Sequence, residues 1–477
     1  MIYYILSSLA LSEESSSVID VHATLRLNAT QRPGFAVDFE GEYLEEGWSF
    51  DSRLRSGMVV QEKAWSFTLD GDIFHGQFAG TPWNLSGVEH RYHPERIGLL
   101  NPDNFALRNA NLKAKIGAVG ILAGVVTSHW GMGLVSNDGA HEREFGRADY
   151  GDRMLRMALS TKMSDVVYTL AGDFVLEDDI GGASDSYRSY QGLFSVNYIP
   201  AKHSQIGILG VYRHQTDIET EQLLRGFFID SYAKTQLVLG SVQFEGEAEV
   251  AYLHGQTDRI TNRNNPDGLP VRSLGAAFRV EAKPSSEEPS INISGGVNGG
   301  YASGDADPSD GLYSTFTFDR DHNAGAFLFD LHQAAREVAE HNLLIDPEHA
   351  GQPPDGVDSL VTEGAIRQTM YLQPFLNYTP VKQLQLRLGS VHAWSTTPIR
   401  SAFISYRNGG VALNYAGEEA DGYFLGSELN WRLTAENLSE STQWLSVFVE
   451  GAHLLPSKNL STEEILSSIR VQSEFSW

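Results

Sequence analysis

Apolar and polar residues alternate with a period of two along most of the chain. In 18–28, Ile19, Val21, Ala23, Leu25 and Leu27 share one parity, and Asp20, His22, Thr24, Arg26 and Asn28 share the other. In 63–77, Trp65, Phe67, Leu69 and Ile73 oppose Ser66, Thr68, Asp70 and Asp72. In 272–283, Leu274, Ala276, Phe278 and Val280 oppose Ser273, Arg279, Glu281 and Lys283. Leu384, Leu386 and Leu388 oppose Gln383, Gln385 and Arg387 in 381–394, and Tyr423, Leu425, Leu429 and Trp431 oppose Glu428, Asn430 and Arg432 in 422–434. Successive side chains of a strand point to opposite faces, so each segment predicts a strand with one apolar and one polar face.

The connections between these segments alternate in length. Short ones fall near 61–62, Gly117, 162, 200–203, 244, 284–289, Pro380 and 435–439. Long ones fall at 29–48, 79–103, 131–150, 178–186, 215–230, 256–271, 303–366, 395–421 and 455–462. Membrane β-barrels have short periplasmic turns and long extracellular loops, whereas a soluble sandwich has no reason to keep that rhythm. The fold class predicted is all-β, a transmembrane antiparallel up-and-down barrel of about 18 strands, with about 16 as the alternative. The segment 34–43 is placed in the first long loop, since a further wall strand would make the count odd. The chain then divides into a signal peptide over 1–17 and a barrel over 18–477.

The last strand carries a signal of its own. Ile465, Ile469, Val471, Phe475 and Trp477 alternate with Ser468, Arg470, Gln472, Glu474 and Ser476. An amphipathic strand ending on an aromatic resembles the C-terminal signal of bacterial outer-membrane barrels. That resemblance implies the outer membrane as location, and lipid, lipopolysaccharide and the barrel-assembly machinery as partners. Composition agrees. The 477 residues carry a formal charge of -26, with a mean hydropathy of -0.25, too polar for a helical membrane protein, and no run of 18 apolar residues occurs. The 19 Tyr and 23 Phe supply enough aromatics for interfacial girdles. The acidic balance argues against nucleic acid as a partner. Without cysteine there is no disulfide, thiolate site or Cys nucleophile. The N-terminus has an apolar run from Ile2 to Leu11 and then a polar stretch, as in a secretory signal peptide, although no basic residue precedes the run.

The longest loop, 303–366, is the candidate plug or lid. Phe327, Leu328, Leu331, Ala335, Val338 and Leu343 have helical spacing, and Gly351 to Gly356 break it. A constriction folded across the mouth and a surface helix packed on other loops both fit this pattern.

Two segments carry a further resemblance: 127–151 (TSHWGMGLVSNDGAHEREFGRADYG) and 300–330 (GYASGDADPSDGLYSTFTFDRDHNAGAFLFD). They are similar to segments of an outer-membrane protein family of unassigned function from myxobacteria and their relatives. The run Gly300, Tyr301, Ala302, Ser303, Gly304 and Asp305, followed by Phe316 or Phe318, also resembles the alginate-export family of outer-membrane channels. That resemblance implies a monomeric barrel passing a saccharide or other polar solute. Alginate exporters imply an arginine-lined lumen, whereas this chain mixes signs.

The inward parity supplies the candidate pore lining: Arg53, Arg55, Asp70, Asp72, Lys113, Lys115, Arg156, Glu245, Glu247, Glu249, Arg279, Glu281, Arg387, Glu428, Arg432 and Arg470, with Arg26, Asp20, Asp51, Asp173, Lys283 and Glu474 beside them. Opposite charges across strands brace a wall and shape the field in a pore. The Glu245–Glu247–Glu249 run would bias a pore toward cations unless it is paired.

Asp305, Asp307, Asp310, Asp319 and Asp321 could hold calcium, with Asp305, Asp307 and Asp310 as ligands, or could form a solvated acidic turn. DADPSDG departs from the EF-hand order by placing its third Asp one residue late. Apart from that ion no cofactor is expected. Trp130, where a strand meets a long loop, fits an interface anchor, and His129 has only His141 nearby. The chain has no GxSxG, P-loop or dinucleotide motif, and nothing marks an enzyme. The function expected is passive passage of a polar solute. The alternative is a non-conducting surface barrel acting as adhesin, polysaccharide binder or envelope scaffold.

Overall fold

The computed structural model describes residues 17–37, 43–81, 105–140, 143–146, 151–180, 186–262, 264–285, 292–349, 351, 357, 360–436, 444–460 and 464–477. The signal segment apart from Ser17, most of the 79–103 loop, residues 352–356 of the predicted helix break, and His141 lie outside these residues. The strands are β1 (Val18–Arg32), β2 (Phe35–Ala36), β3 (Tyr43–Leu44), β4 (Gly47–Gln61), β5 (Trp65–Gly80), β6 (Ala106–Ile116), β7 (Val119–Thr127), β8 (Arg153–Met163), β9 (Val166–Glu177) and β10 (Tyr187–Ala201). They continue as β11 (Ser204–Asp217), β12 (Leu223–Leu239), β13 (Val242–Thr257), β14 (Leu269–Pro284), β15 (Asn292–Ala302), β16 (Thr369–Val381), β17 (Leu384–Ser395), β18 (Phe424–Glu436), β19 (Leu445–Pro456) and β20 (Leu466–Ser476).

All of these except β2 and β3 form one 18-stranded antiparallel sheet that closes where β1 pairs with β20, Thr24 opposite Ser476 through Gln31 opposite Ile469. Closure removes every sheet edge, as strands in lipid require. The outward parity is apolar: Val21, Leu27, Leu155, Leu170, Ile206, Val250 and Leu429 are exposed on the wall. Aromatic pairs sit at the rims, including Trp48 with Phe50, Trp394 with Phe424, and Trp444 with Phe475.

Several sequence expectations shift in detail. Hairpins turn at Ser164–Asp165 and Gly240–Ser241 instead of at 162 and 244, and β11 and β12 run on so that only 218–222 join them. Single parity fails at several slips of the ladder, among them one in β6 that buries both Arg108 and Asn109. Phe74 has φ 54 and the β4–β5 register slips beside it, so Gln77 is buried inward although it is odd. The β17–β18 register slips next to Gly426, and Leu425 turns into the barrel instead of toward lipid. Each slip is a bulge, which inserts a residue and exchanges the two faces. Residues 38–42 lie outside the described residues, and the described ends of 34–43 stay out of the wall, with Phe35 and Ala36 of β2 pairing Leu44 and Tyr43 of β3.

The 303–368 connection enters the barrel. It carries a wide helical turn at Leu328–Gln333 that continues as α1 (Ala334–Ile345). Phe316, Phe318, Phe327, Leu328, Ala335 and Val338 pack there against the inward wall residues Ala277, Ala302, Tyr371, Val391, Ala393 and Leu454. A shorter helix, α2 (Ala402–Arg407), is capped by Ser401, whose hydroxyl accepts the Ile404 N–H at 3.2 Å.

Candidate functional site

The lumen has two unlike sectors. From β13 to β20 its outer half is filled by the 303–368 loop, and from β7 to β12 by the 128–152 loop, whose Trp130 packs with Leu122, Val126, Leu193, Leu209 and Phe228. Trp130 is 1% exposed and its Nε1 donates to Asp230 at 2.9 Å, so it is a lumen residue and not an interface anchor.

Wall carboxylates latch both loops. Glu428 accepts the N–H groups of Ala326 at 2.7 Å, Phe327 at 3.1 Å and Leu328 at 2.6 Å, capping the start of the helical segment. Gly325 has φ +73, and a Cβ there would lie 2.7 Å from the Glu428 carboxylate, so only glycine lets the chain wrap this latch. On the other side, Glu249 accepts the N–H groups of Met132 and Leu134, and Gly131, at φ +54, plays the part of Gly325. Neither Glu249 nor Glu428 faces open lumen.

The two loops also bind each other. Arg143 donates to the Arg320 and Asp321 carbonyls, each at 2.7 Å, and Asp321 accepts the Gly151 N–H at 2.7 Å. Asp319 accepts the Asn137 N–H at 2.9 Å. The segments 127–151 and 300–330 thus meet inside the barrel.

Beneath them a row of wall arginines grips residues 143–146. Arg279 and Arg387 bind Glu144. Arg470 donates to the Gly146 carbonyl at 2.6 Å, and Glu450 binds Arg432 at 2.6 Å and Arg470 at 2.8 Å. Phe145 is wedged against Gly389, with the Arg432 guanidinium 5.8 Å from its ring. Glu281 adds a 2.9 Å ion pair to Arg279. Glu144 and Glu450, which anchor this row, escaped the sequence reading; Glu450 shares the inward parity of its strand, while Glu144 lies in a loop and no pattern marks it.

The acidic run on β13 is paired. Glu245 meets Lys283 at 2.8 Å, and Glu247 meets Lys234 at 3.7 Å and accepts the Tyr232 hydroxyl at 2.9 Å. Arg156 is buried against Asp173 at 2.7 Å, under the 128–152 loop.

The second sector comprises β1, β4, β5 and β6. Here the inward residues stay polar through the middle of the wall: His22, Thr24, Arg26 and Asn28; Asp51, Arg53 and Arg55; Ser66, Thr68, Asp70 and Asp72; Asn109, Asn111 and Lys113. Arg55 binds Asp72 through two hydrogen bonds, 2.7 and 2.9 Å. Asp70 meets His22 at 3.1 Å, and Arg26 meets Glu474 of β20 at 3.0 Å. Side-chain exposures of 40% at His22, 19% at Arg26 and 28% at Glu474 leave the β1–β20 side of this lane open to solvent, while Arg53, Asp72, Asn111 and Lys113 are buried. Lys115 is half-buried near the short-turn rim.

The Asp305–Asp310 turn uses its carboxylates locally. Asp305 accepts the Asp307 N–H at 3.1 Å, Asp307 the Ser309 N–H at 3.1 Å, and Asp310 the Leu312 N–H at 2.7 Å. Among the described residues no three acidic or histidine side chains are grouped to hold a metal ion.

A closed, even-stranded antiparallel barrel with an apolar belt, short turns at one rim and long loops at the other is a bacterial outer-membrane β-barrel. In fold the chain is similar to OccK8 (OprE) of Pseudomonas aeruginosa, at 10% identity and a TM-score of 0.52, over 96% of this chain and 98% of that one. It is also similar to OpdK of Pseudomonas aeruginosa, at 12% identity and a TM-score of 0.48 over 96% and 99% of the two chains. OprD of Pseudomonas aeruginosa aligns at 8% identity and a TM-score of 0.48, over 98% and 97%. At such identities the likeness is one of fold. No protein-family model matches the chain, and no curated protein matches it.

Proposed function

We propose that this barrel is a passive outer-membrane channel for a polar solute, and that the solute passes along the sector of β1, β4, β5 and β6. The observation that carries this reading is the polar lane itself: ion pairs of both signs, part-open to solvent, beside a lumen otherwise packed with apolar loop residues. Such a lane holds water and replaces a solute's hydration without a large single-signed field. Its mixed signs favour a neutral or zwitterionic solute, such as a saccharide, over a polyuronate. That choice agrees with the saccharide implied by the alginate-export resemblance of 300–305 and departs from that family's expected arginine lining. The apolar belt would meet lipid and lipopolysaccharide, and the β20 strand would be read by the barrel-assembly machinery.

The packing of both loops supports a second reading, a non-conducting surface barrel. Single-channel recording in a planar bilayer separates the two, with the intact protein beside a variant lacking 305–364. The channel reading expects a small steady conductance in the intact protein and a several-fold larger one in the deletion. Silence in both, with the barrel correctly folded, overturns it in favour of the second reading.

A further inference from the structure

Across the barrel from the polar lane, a cavity of about 300 Å³ lies between the 303–368 loop and the wall strands β8 to β14. That is the lower end of the size range of small-molecule sites. Much of its lining is hydrocarbon: Leu193, Leu209, Val211, Phe228, Leu253 and Phe316. One end is acidic, with Asp152, Asp178, Asp179 and Asp319, and Glu363 lines it too.

The three guanidiniums in the lining are engaged. Arg156 is paired with Asp173, Arg213 with Asp178, and Arg259 lies 4.6 Å from the centre of the Tyr187 ring. Glu363 is taken by Arg320. Among the described residues, Asp152, Asp179 and Asp319 stand in no ion pair; Asp319 and Asp179 accept only backbone N–H groups, from Asn137 and Asp321 at 2.9 Å and from Arg320 at 2.5 Å. Asp179 remains exposed. Burial, reinforced by neighbouring carboxylates, pushes the Asp152 and Asp319 carboxyls well above the usual range.

A second observation points the same way. The Ser273 hydroxyl lines this cavity, is 2% exposed and has no hydrogen-bond partner. A buried polar atom is ordinarily satisfied by protein, water or ligand. A bare metal ion does not suit the place, because half the lining offers carbon, and no metal-holding group of three side chains occurs among the described residues.

We propose that this cavity binds an amphipathic organic cation: a primary ammonium or guanidinium set against Asp152, Asp179 and Asp319, on a compact apolar body lying over Leu193, Leu209, Val211 and Phe228. The site is separate from the lane and needs no conductance, so it stands whether or not the barrel is a channel.

The test uses the full-length folded barrel in a non-ionic detergent. Its probes are 2-phenylethylammonium, 2-phenylethanol and 3-phenylpropionate, followed by saturation-transfer NMR and calorimetry. The ammonium is expected to bind saturably and at least tenfold more tightly than the alcohol, with no binding of the carboxylate. The D152N/D179N double variant should lose tenfold or more for the ammonium and little for the alcohol, while Val211→Trp, which fills the cavity, should abolish both. Equal affinity for all three probes, or indifference of the ammonium to D152N/D179N, would mean partition into apolar surface and overturns the proposal. Should the double variant not fold, the ranking of the three probes on the native protein decides.

Discussion

The strands β13 to β19 and the strands β1, β4, β5 and β6 obey the same alternation, yet their inward faces differ in kind. In the first group the inward side chains change character with height. Toward the long-loop rim they are small or apolar: Ala251, Ala277, Ala302, Val391, Ala393, Ala452 and Leu454. One or two pairs lower they become Glu249, Arg279, Arg387, Glu428 and Glu450. The change marks the footprint of the 303–368 loop, which presses phenylalanines on the upper residues and is latched or underpinned by the charges below. In the second group the described inward residues show no such change, and His22 pairs with Asp70, Arg55 with Asp72 and Arg26 with Glu474. Among the described residues, the wall under the 303–368 loop is therefore apolar on both faces over its outer half, and the wall of β1, β4, β5 and β6 on one.

The largest effect should come from the docked sector. Phe318 is 1% exposed and packs edge-on with Phe316 and His322, at 5.8 and 5.1 Å between ring centres. Phe318→Ala should cost the docked loop about 3–5 kcal/mol. The expected readout is a larger, noisier conductance and faster proteolysis within 303–368, with the barrel itself still folded. A loop that stays protected would show that Phe318 does not hold it. Next comes Glu428→Ala, which strips three N–H groups of their acceptor and should cost roughly 2–3 kcal/mol. Its predicted signature is the same undocking at lower amplitude, and Glu428→Gln should recover part of the loss.

Strand existence, the closing of the barrel, the inward parity and a long loop with a helical centre were all legible, because a period of two and turn residues are local signals. The bulges at Phe74 and Gly426 were not, since no local pattern says which residue the ladder will skip. Trp130 misled because a tryptophan at a strand end suits a lipid interface or a packed lumen equally well. Glu249 and Glu428 were correctly placed on the inward face, but the loop that covers each lies about a hundred residues away in sequence. The available clue was the row of inward alanines above them, which a water-filled lumen has no reason to keep.

A smaller effect follows from pH. Glu340 of α1 is 6% exposed, and its carboxyl accepts the Ser401 hydroxyl, the Phe403 N–H at 3.4 Å and the Tyr415 hydroxyl at 3.1 Å. Burial raises it above the usual carboxylate range. A raised carboxyl binds its proton more tightly in the docked loop, so its contribution is full at acid pH and is lost as pH rises through the docked value. Each unit of displacement is worth about 1.4 kcal/mol. Glu340→Gln holds the neutral form, and the Tyr415 hydroxyl can turn to accept from the amide. Protease protection of 328–345 should therefore fall from pH 5 to pH 8 in the native protein and fall less in the variant. Parallel profiles would remove Glu340 from the balance.

The smallest energy belongs to the lane, where it should have the clearest effect on ion selectivity. Arg26 and Glu474 form a part-exposed pair, and breaking such a pair costs less than about 1 kcal/mol. Arg26→Gln should leave stability and loop protection nearly untouched. It leaves Glu474 uncompensated, so the reversal potential in a salt gradient should move toward the cation's equilibrium value. Arg156→Gln removes a positive charge from an equally inward position, but that guanidinium is buried on Asp173 beneath the 128–152 loop. Losing one partner of a buried pair costs about 3–5 kcal/mol, so this variant should weaken loop docking while leaving the selectivity of intact channels as it was. If Arg156→Gln moved the reversal potential and Arg26→Gln did not, the solute path would lie on the packed side of the barrel, and the contrast between the two sectors would have to be reversed.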